Sequence, residues 1–83
     1  MELSEIEQVV HKIIIEQSND MVTIENDELL MNHGFDSLKT IELVVFLEGK
    51  FNFEFEMNML TYETLKSISS ISKYIYQRIK EKE

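Results

Sequence analysis

Leu65, Ile68, Ile71, Ile75 and Ile79 follow one another at spacings of three, three, four and four. Only a helix brings residues so spaced onto one face, so this stretch is expected to be a helix with one side buried. Leu3, Ile6, Val10, Ile13 and Ile14 repeat the pattern near the start of the chain. Ser4 is the expected N-terminal cap there, with Glu5 and Glu7 suited to the positive end of the helix dipole. The stripe stops at Ser18, Asn19 and Asp20, residue types that favour a turn.

A third apolar-rich segment starts at Asp36 or Ser37 and is expected to run to about Gly49 or Lys50. Its apolar set is Leu38, Ile41, Leu43, Val44, Val45, Phe46, Leu47 and, just beyond, Phe51. One stripe needs fewer. A helix apolar around most of its circumference is either deeply buried or gives one face to a partner. A chain of 83 residues has little room to surround a helix fully. Part of this surface should therefore meet another molecule, or a ligand inside the bundle.

The connections carry their own signals. Residues 18–36 lack periodicity but hold Met21, Val22, Ile24, Leu29, Leu30 and Met31, which should pin the stretch to the bundle. A short helical turn is expected around residues 27–31, and Gly34 supplies the permissive backbone for a sharp bend. FNFEFEM alternates in period two, but a lone strand has nothing to pair with. It reads as an extended connection with Phe51, Phe53 and Phe55 turned inward. A short helix is expected around residues 61–65. The predicted fold is all-α, a small bundle of three main helices plus one short helix, with residues 1–83 forming a single domain.

Composition narrows the function. There is no cysteine, which removes disulfides and thiolate metal sites. No apolar run approaches the roughly 18 residues of a membrane span, and the acidic start MELSEIEQ lacks the basic flank of a signal peptide, so a cytoplasmic location is expected. The net charge of −8 argues against nucleic acid and against an anionic membrane surface. Basic patches on other proteins are the better match. The acids crowd the first part: residues 1–36 hold nine, against Lys12 alone. The bases gather in the last helix, where they suit the negative end of its dipole.

Ser37 has two readings. It caps the helix, a very common use of serine. Or Asp36 caps, being at least as good and carrying the charge the dipole favours, and the Ser37 hydroxyl is left free. A capping box supports neither, because Lys39 and Thr40 stand where Glu or Gln is required. A free hydroxyl at a helix start has a chemical advantage: the backbone N–H groups there favour negative charge, such as a phosphodiester formed on that oxygen.

The segment HGFDSLKTIELVVFLEGKFNFEFE resembles the central part of acyl carrier proteins and peptidyl carrier domains. The matching residues are Gly34, Asp36, Ser37 and Leu38, then Glu42-Leu43 and Leu47-Glu48. ETLKSISSISKYI is similar to the family's last helix, and an amphipathic first helix precedes the motif, so nearly the whole chain is covered. The resemblance implies that Ser37 is the attachment point of 4′-phosphopantetheine, donated by coenzyme A through a phosphopantetheinyl transferase, with Asp36 as the cap beside it. It implies a non-catalytic carrier that holds acyl or aminoacyl groups as thioesters and presents them to loading and condensing enzymes, as a monomer. Leu38, Glu42, Val45 and Glu48 match positions that face those partners. Phe46, Leu47, Phe55, Leu65 and Ile68 match positions lining the space between helices where some members tuck an acyl chain, although ordinary core is the simpler role for them.

Departures bear on subtype. Lys39 stands where bacterial fatty-acid carriers usually have an acid. Over residues 37–50, Lys39 and Lys50 balance Glu42 and Glu48. Glu56 replaces a common proline, and His33 replaces an apolar residue. These changes point to a polyketide or nonribosomal-peptide carrier ahead of a fatty-acid one. A serine hydrolase is the enzyme alternative. It would need a base and an oxyanion hole, and the chain offers only His11 and His33 and no Gly-x-Ser-x-Gly elbow. ENDE at residues 25–28 lacks the ligand ladder of a calcium loop, so no metal site is expected. A plain helical adaptor is the non-carrier rival, and it would have no need of Ser37.

Overall fold

The computed structural model describes residues 1–18 and 23–82. Its elements, in order, are α1 (Leu3–Gln17), a 3₁₀ turn (Leu30–His33), α2 (Ser37–Phe51), a second 3₁₀ turn (Met57–Met59), α3 (Tyr62–Leu65) and α4 (Ile68–Lys82). No strand occurs among the described residues. The all-α expectation of three main helices and one short one is met.

The first and last stripes bury as their spacing requires. Ile6, Val10, Ile13 and Ile14 of α1 face Ile68, Ile71, Tyr74 and Ile75 of α4, all within the core. These two helices form the most extensive helix–helix contact. Leu43, Val44 and Leu47 bring α2 against the same core. The start of α1 differs from expectation. Its cap is Glu2, and Ser4 lies exposed inside the first turn. The Glu2 backbone N–H donates to the Glu5 carboxylate at 2.9 Å, so an acid three residues on closes the helix start.

The long connection is tied down by backbone as well as side chains. Ile24 and Leu30 are buried and Leu29 is half-buried. The Leu30 N–H donates to the Lys66 carbonyl at 2.8 Å, and the Ser69 N–H to the Asn26 carbonyl at 2.9 Å. His11 is a boundary residue whose ring nitrogen Nε2 meets the Ile24 carbonyl at 3.0 Å. Met31, expected to pin this stretch, is instead 60% exposed. Met21 and Val22, given the same role, lie outside the described residues, as do Asn19 and Asp20 of the expected turn. The helical turn falls at Leu30–His33, slightly later than expected.

Phe53 and Phe55 do turn inward from an extended segment, with Phe51 half-buried. Their rings lie 5.0 Å apart, and Phe55 lies 5.1 Å from the Tyr74 ring. A polar clasp fastens the same segment to α4. Arg78 Nη1 donates to the Glu54 carbonyl at 2.8 Å and to Tyr74 Oη at 2.9 Å, while Tyr74 Oη also accepts from the Glu56 N–H at 3.1 Å. α2 runs past Gly49 and Lys50 to Phe51, because Asn52 takes the left-handed conformation (φ 54°) that ends it.

One core atom is out of place. Ser72 is fully buried on α4, and its Oγ has no hydrogen-bond partner. Leaving a buried hydroxyl unpaired is costly, so Ser72→Ala is expected to stabilise the protein by about 1 kcal/mol. Urea unfolding of the two forms measures this, and a destabilised variant would show that the hydroxyl is satisfied in solution.

Candidate functional site

The site is built where the first 3₁₀ turn meets α2. Gly34 ends the turn at φ 86°, a left-handed conformation that side-chain-bearing residues rarely adopt. Its N–H and that of Phe35 both donate to the Leu30 carbonyl, which folds the chain back on itself. Phe35 then drops into the core at 4% exposure, and the Lys39 ammonium sits 5.8 Å from its ring centroid. With Phe35 anchored, Asp36 and Ser37 emerge on the surface at the head of α2.

The two residues divide the work there. Asp36 is the cap: its Oδ1 accepts the Lys39 N–H at 2.9 Å, and its carbonyl accepts the Thr40 N–H at 2.9 Å. Ser37 is the first helical residue, exposed, and its Oγ makes no hydrogen bond to the described residues. The first reading of Ser37, as the cap, is thereby corrected: the acid one residue earlier occupies that role. Replacing Asp36 with alanine is expected to cost about 1 kcal/mol of stability, with Asp36→Asn retaining most of it. Thermal unfolding of the three proteins tests the assignment, and an unchanged alanine variant would refute it.

Ser37 forms part of the rim of an open groove of about 620 Å³ between the head of α2 and α3. Apolar side chains dominate its walls, among them Met31, Phe35, Ile41, Leu60, Tyr62 and Leu65. Several stay largely in solvent: Met31 is 60% exposed, Tyr62 54% and Leu60 44%. Leu60 and Tyr62 had no role in the sequence reading, since neither belongs to a periodic stripe.

Along α2, Leu38, Ile41, Val45 and Phe46 are exposed and recur at helical spacing with Glu42 among them. This is the face for which the apolar excess of the helix had no use in the core. Ile41 was visible there only as one member of that excess. Phe46, matched in sequence to an interior position, is 50% exposed, which corrects that assignment. Successive helical residues turn by about 100°, so with Leu47 aimed at the core Phe46 is carried out of it. Leu47, Phe55 and Ile68 are buried, and Leu65 is half-buried. Glu42 stands free on the surface, whereas Glu48 is half-buried, its Oε2 accepting the Phe55 N–H at 2.8 Å.

His33 is engaged away from the serine. Its Nε2 lies 2.7 Å from Glu28 Oε2, and the same carboxylate accepts the Glu25 N–H at 2.9 Å. The Glu25 backbone N–H, and after it the hydrogen bond from His33, hold the Glu28 carboxyl below the usual carboxylate range. Among the described residues, no helix is long and apolar enough to cross a membrane.

A family model described as "Phosphopantetheine attachment site" matches residues 8–75. Among curated proteins the comparison returns no match. Among solved structures, the chain is similar to one in the crystal structure of Bradyrhizobium japonicum glycine:[carrier protein] ligase complexed with glycylated carrier protein. The TM-score is 0.68 at 21% identity, covering 86% of this chain and 95% of that one. At that identity the likeness is one of fold. The site fits the group named by the family model, since an exposed, unengaged hydroxyl stands at a helix start beside a groove open to solvent.

Proposed function

The chain belongs to the phosphopantetheine attachment-site family, whose cofactor is 4′-phosphopantetheine, and on that premise we propose that Ser37 Oγ is the atom that carries it. The observation supporting this is the idle, solvent-facing hydroxyl of Ser37 at the head of α2, beside a cap supplied by Asp36. In the loading step Ser37 Oγ bonds to the phosphorus bearing the pantetheine of coenzyme A. The bond from that phosphorus to the bridging oxygen breaks, adenosine 3′,5′-bisphosphate leaves, and the serine proton passes to a transferase. The bound group supplies a terminal thiol that holds an acyl or aminoacyl group as a thioester.

The chain's own residues present, and do not catalyse. Neither histidine serves Ser37 as a base: His11 meets the Ile24 carbonyl and His33 meets Glu28. The head of α2 offers its N–H groups and dipole to the phosphodiester. Leu38, Glu42 and Val45, joined by Ile41 and Phe46, form the surface that meets partner enzymes. Those partners are a phosphopantetheinyl transferase and the enzymes that load and condense the cargo. Glu48 contributes at the edge of this surface, with one carboxylate oxygen committed to Phe55.

Residues 1–83 act as one carrier unit, monomeric and cytoplasmic. The balanced charge of α2 and the lysine at position 39 favour a polyketide or nonribosomal-peptide pathway over fatty-acid synthesis. The deciding experiment is intact mass spectrometry after incubation with coenzyme A, magnesium and a broad-specificity transferase. The protein should gain one phosphopantetheine. A helical adaptor would gain none.

A further inference from the structure

We infer that Glu28 is a positioning residue for Ser37: acting through His33, it braces the turn that precedes the serine and so sets how fast the hydroxyl reacts, not how tightly partners bind. The inference rests on Ser37 being the attachment point. It concerns two residues for which the loading chemistry itself has no part.

The head of α2 needs a brace from outside the helix. None of residues 36–42 is buried, and Leu43 is the first α2 side chain to enter the core. A helix end without buried contacts frays. What fixes Ser37 in space is therefore the chain before it. Phe35 supplies one anchor. Between Phe35 and the 3₁₀ turn stands Gly34 at φ 86°, the residue type with the freest backbone. Whether the two sides of that joint keep one angle depends on how firmly the turn itself is held.

Glu28 holds it. His33 closes the turn with its side chain only 15% exposed, so its ring N–H needs a partner. Glu28 Oε2 lies 2.7 Å from His33 Nε2, while Oε1 accepts the Glu25 N–H at 2.9 Å. The Glu28 N–H donates in return to the Glu25 carbonyl at 3.1 Å. One carboxylate thus joins two turns. The 25–28 turn is fastened to both long helices: the Ile24 carbonyl meets His11 of α1, and the Asn26 carbonyl accepts the Ser69 N–H of α4. The near end of the 3₁₀ turn is tied separately, through the Leu30 N–H to the Lys66 carbonyl. The far end, next to Gly34, is the one that Glu28 secures. A charge-assisted bond of this length is among the stronger side-chain ties.

Rate rather than affinity should carry the effect. Val45 and Phe46 lie between Val44 and Leu47, which seat that stretch of α2 in the core, so docking there is indifferent to the turn. Ser37 Oγ must instead meet the phosphorus in a narrow geometry, and a small misplacement of an attacking atom lowers turnover steeply.

The test is the steady-state loading of the full chain by a phosphopantetheinyl transferase with coenzyme A and magnesium. Glu28→Asp keeps the charge but is one methylene too short to span Glu25 and His33. Glu28→Gln keeps the length: its oxygen can accept the Glu25 N–H, and its amide can donate to His33 Nε2 in the other ring tautomer. Glu28→Ala keeps neither. Glu28→Ala is expected to lower kcat about tenfold and Glu28→Asp about fivefold, each with KM within about twofold, whereas Glu28→Gln stays within about twofold on both. Amide exchange at Phe35 is expected to quicken in Glu28→Ala and Glu28→Asp and to hold in Glu28→Gln. Arg78→Ala, which undoes the clasp on residues 53–56, controls for lost stability and should leave kcat unchanged. An unchanged kcat in Glu28→Ala and Glu28→Asp, a loss that appears in KM, or an equal loss in Arg78→Ala would each overturn the inference. Should Glu28→Ala fail to fold, Glu28→Asp against Glu28→Gln decides alone. If the unaltered protein gains no mass, or Ser37→Ala still gains it, the Ser37 assignment fails instead, and that is known before any Glu28 variant is measured.

Discussion

Ser37→Ala should gain no phosphopantetheine under conditions in which the unaltered protein is fully converted, while its stability stays within about 0.5 kcal/mol. Both halves follow from the geometry at the head of α2. The alanine lacks the only oxygen the side chain contributes, so the loss of modification is complete rather than graded. Stability is spared because the exposed hydroxyl bonds to none of the described residues, and Asp36 already accepts the Lys39 N–H. Alanine is also the best helix former for the first turn. Intact mass reads the first half and urea unfolding the second. A variant that still gains mass would move the attachment elsewhere, with Ser4, Ser69 and Ser70 among the serines to examine. A variant that neither gains mass nor folds would leave the two effects entangled, so Ser37→Thr is made alongside it. Threonine keeps an oxygen at the same place and a similar helix start, and it should fold equally well.

The second large effect concerns docking. Val45→Glu is expected to raise the KM of a transferase or loading enzyme by about 30-fold or more, with kcat little changed. A carboxylate pressed into an apolar contact without a counter-charge costs roughly 2 kcal/mol or more, and each 1.4 kcal/mol is tenfold. The fold should not notice, since Val45 is 63% exposed. Lys73→Glu, on the exposed side of α4, serves as the matched charge change and should leave KM alone. Salt sharpens the comparison. Leu38, Ile41, Val45 and Phe46 outnumber the single exposed acid among them, Glu42. Raising salt to about 1 M, where the Debye length falls to about 3 Å, should therefore alter KM by less than about threefold. A steep salt dependence would show that charge, not apolar contact, brings the partners together.

Much of this was legible in the residues, and the rest was lost for physical reasons. The stripes of α1 and α4 were readable because each helix buries one side only, so spacing and burial coincide. Phe53 and Phe55 were readable because period-two alternation has one inward face. α2 was harder. With apolar side chains almost all round, periodicity could not say which ones the core would keep. The structure keeps Leu43, Val44 and Leu47 and turns Phe46 outward. Ser4 looked like a cap because its residue type is right. Glu2 took the role because Leu3, the first residue of the apolar stripe, is already helical, which puts the cap just before it and Ser4 inside the first turn. The groove could not be read at all, since Met31 of the first 3₁₀ turn meets Leu60 and Tyr62, at the approach to and the head of α3, from places distant in sequence. The division between Asp36 and Ser37 was stated as an alternative by the residues alone, and the 2.9 Å bond from Lys39 decides it.

Phe35 gives the serine a footing. Helix ends fray, and a tether rooted in the first turn of α2 would ordinarily pull on the least secure part of the helix. Here a ring at 4% exposure is wedged into the core two residues before the serine. With the arm on Ser37 as proposed, a pull on its far end would be transmitted through that wedge to the bundle. The head of α2 would then be held in shape by Phe35 rather than by the helix end alone.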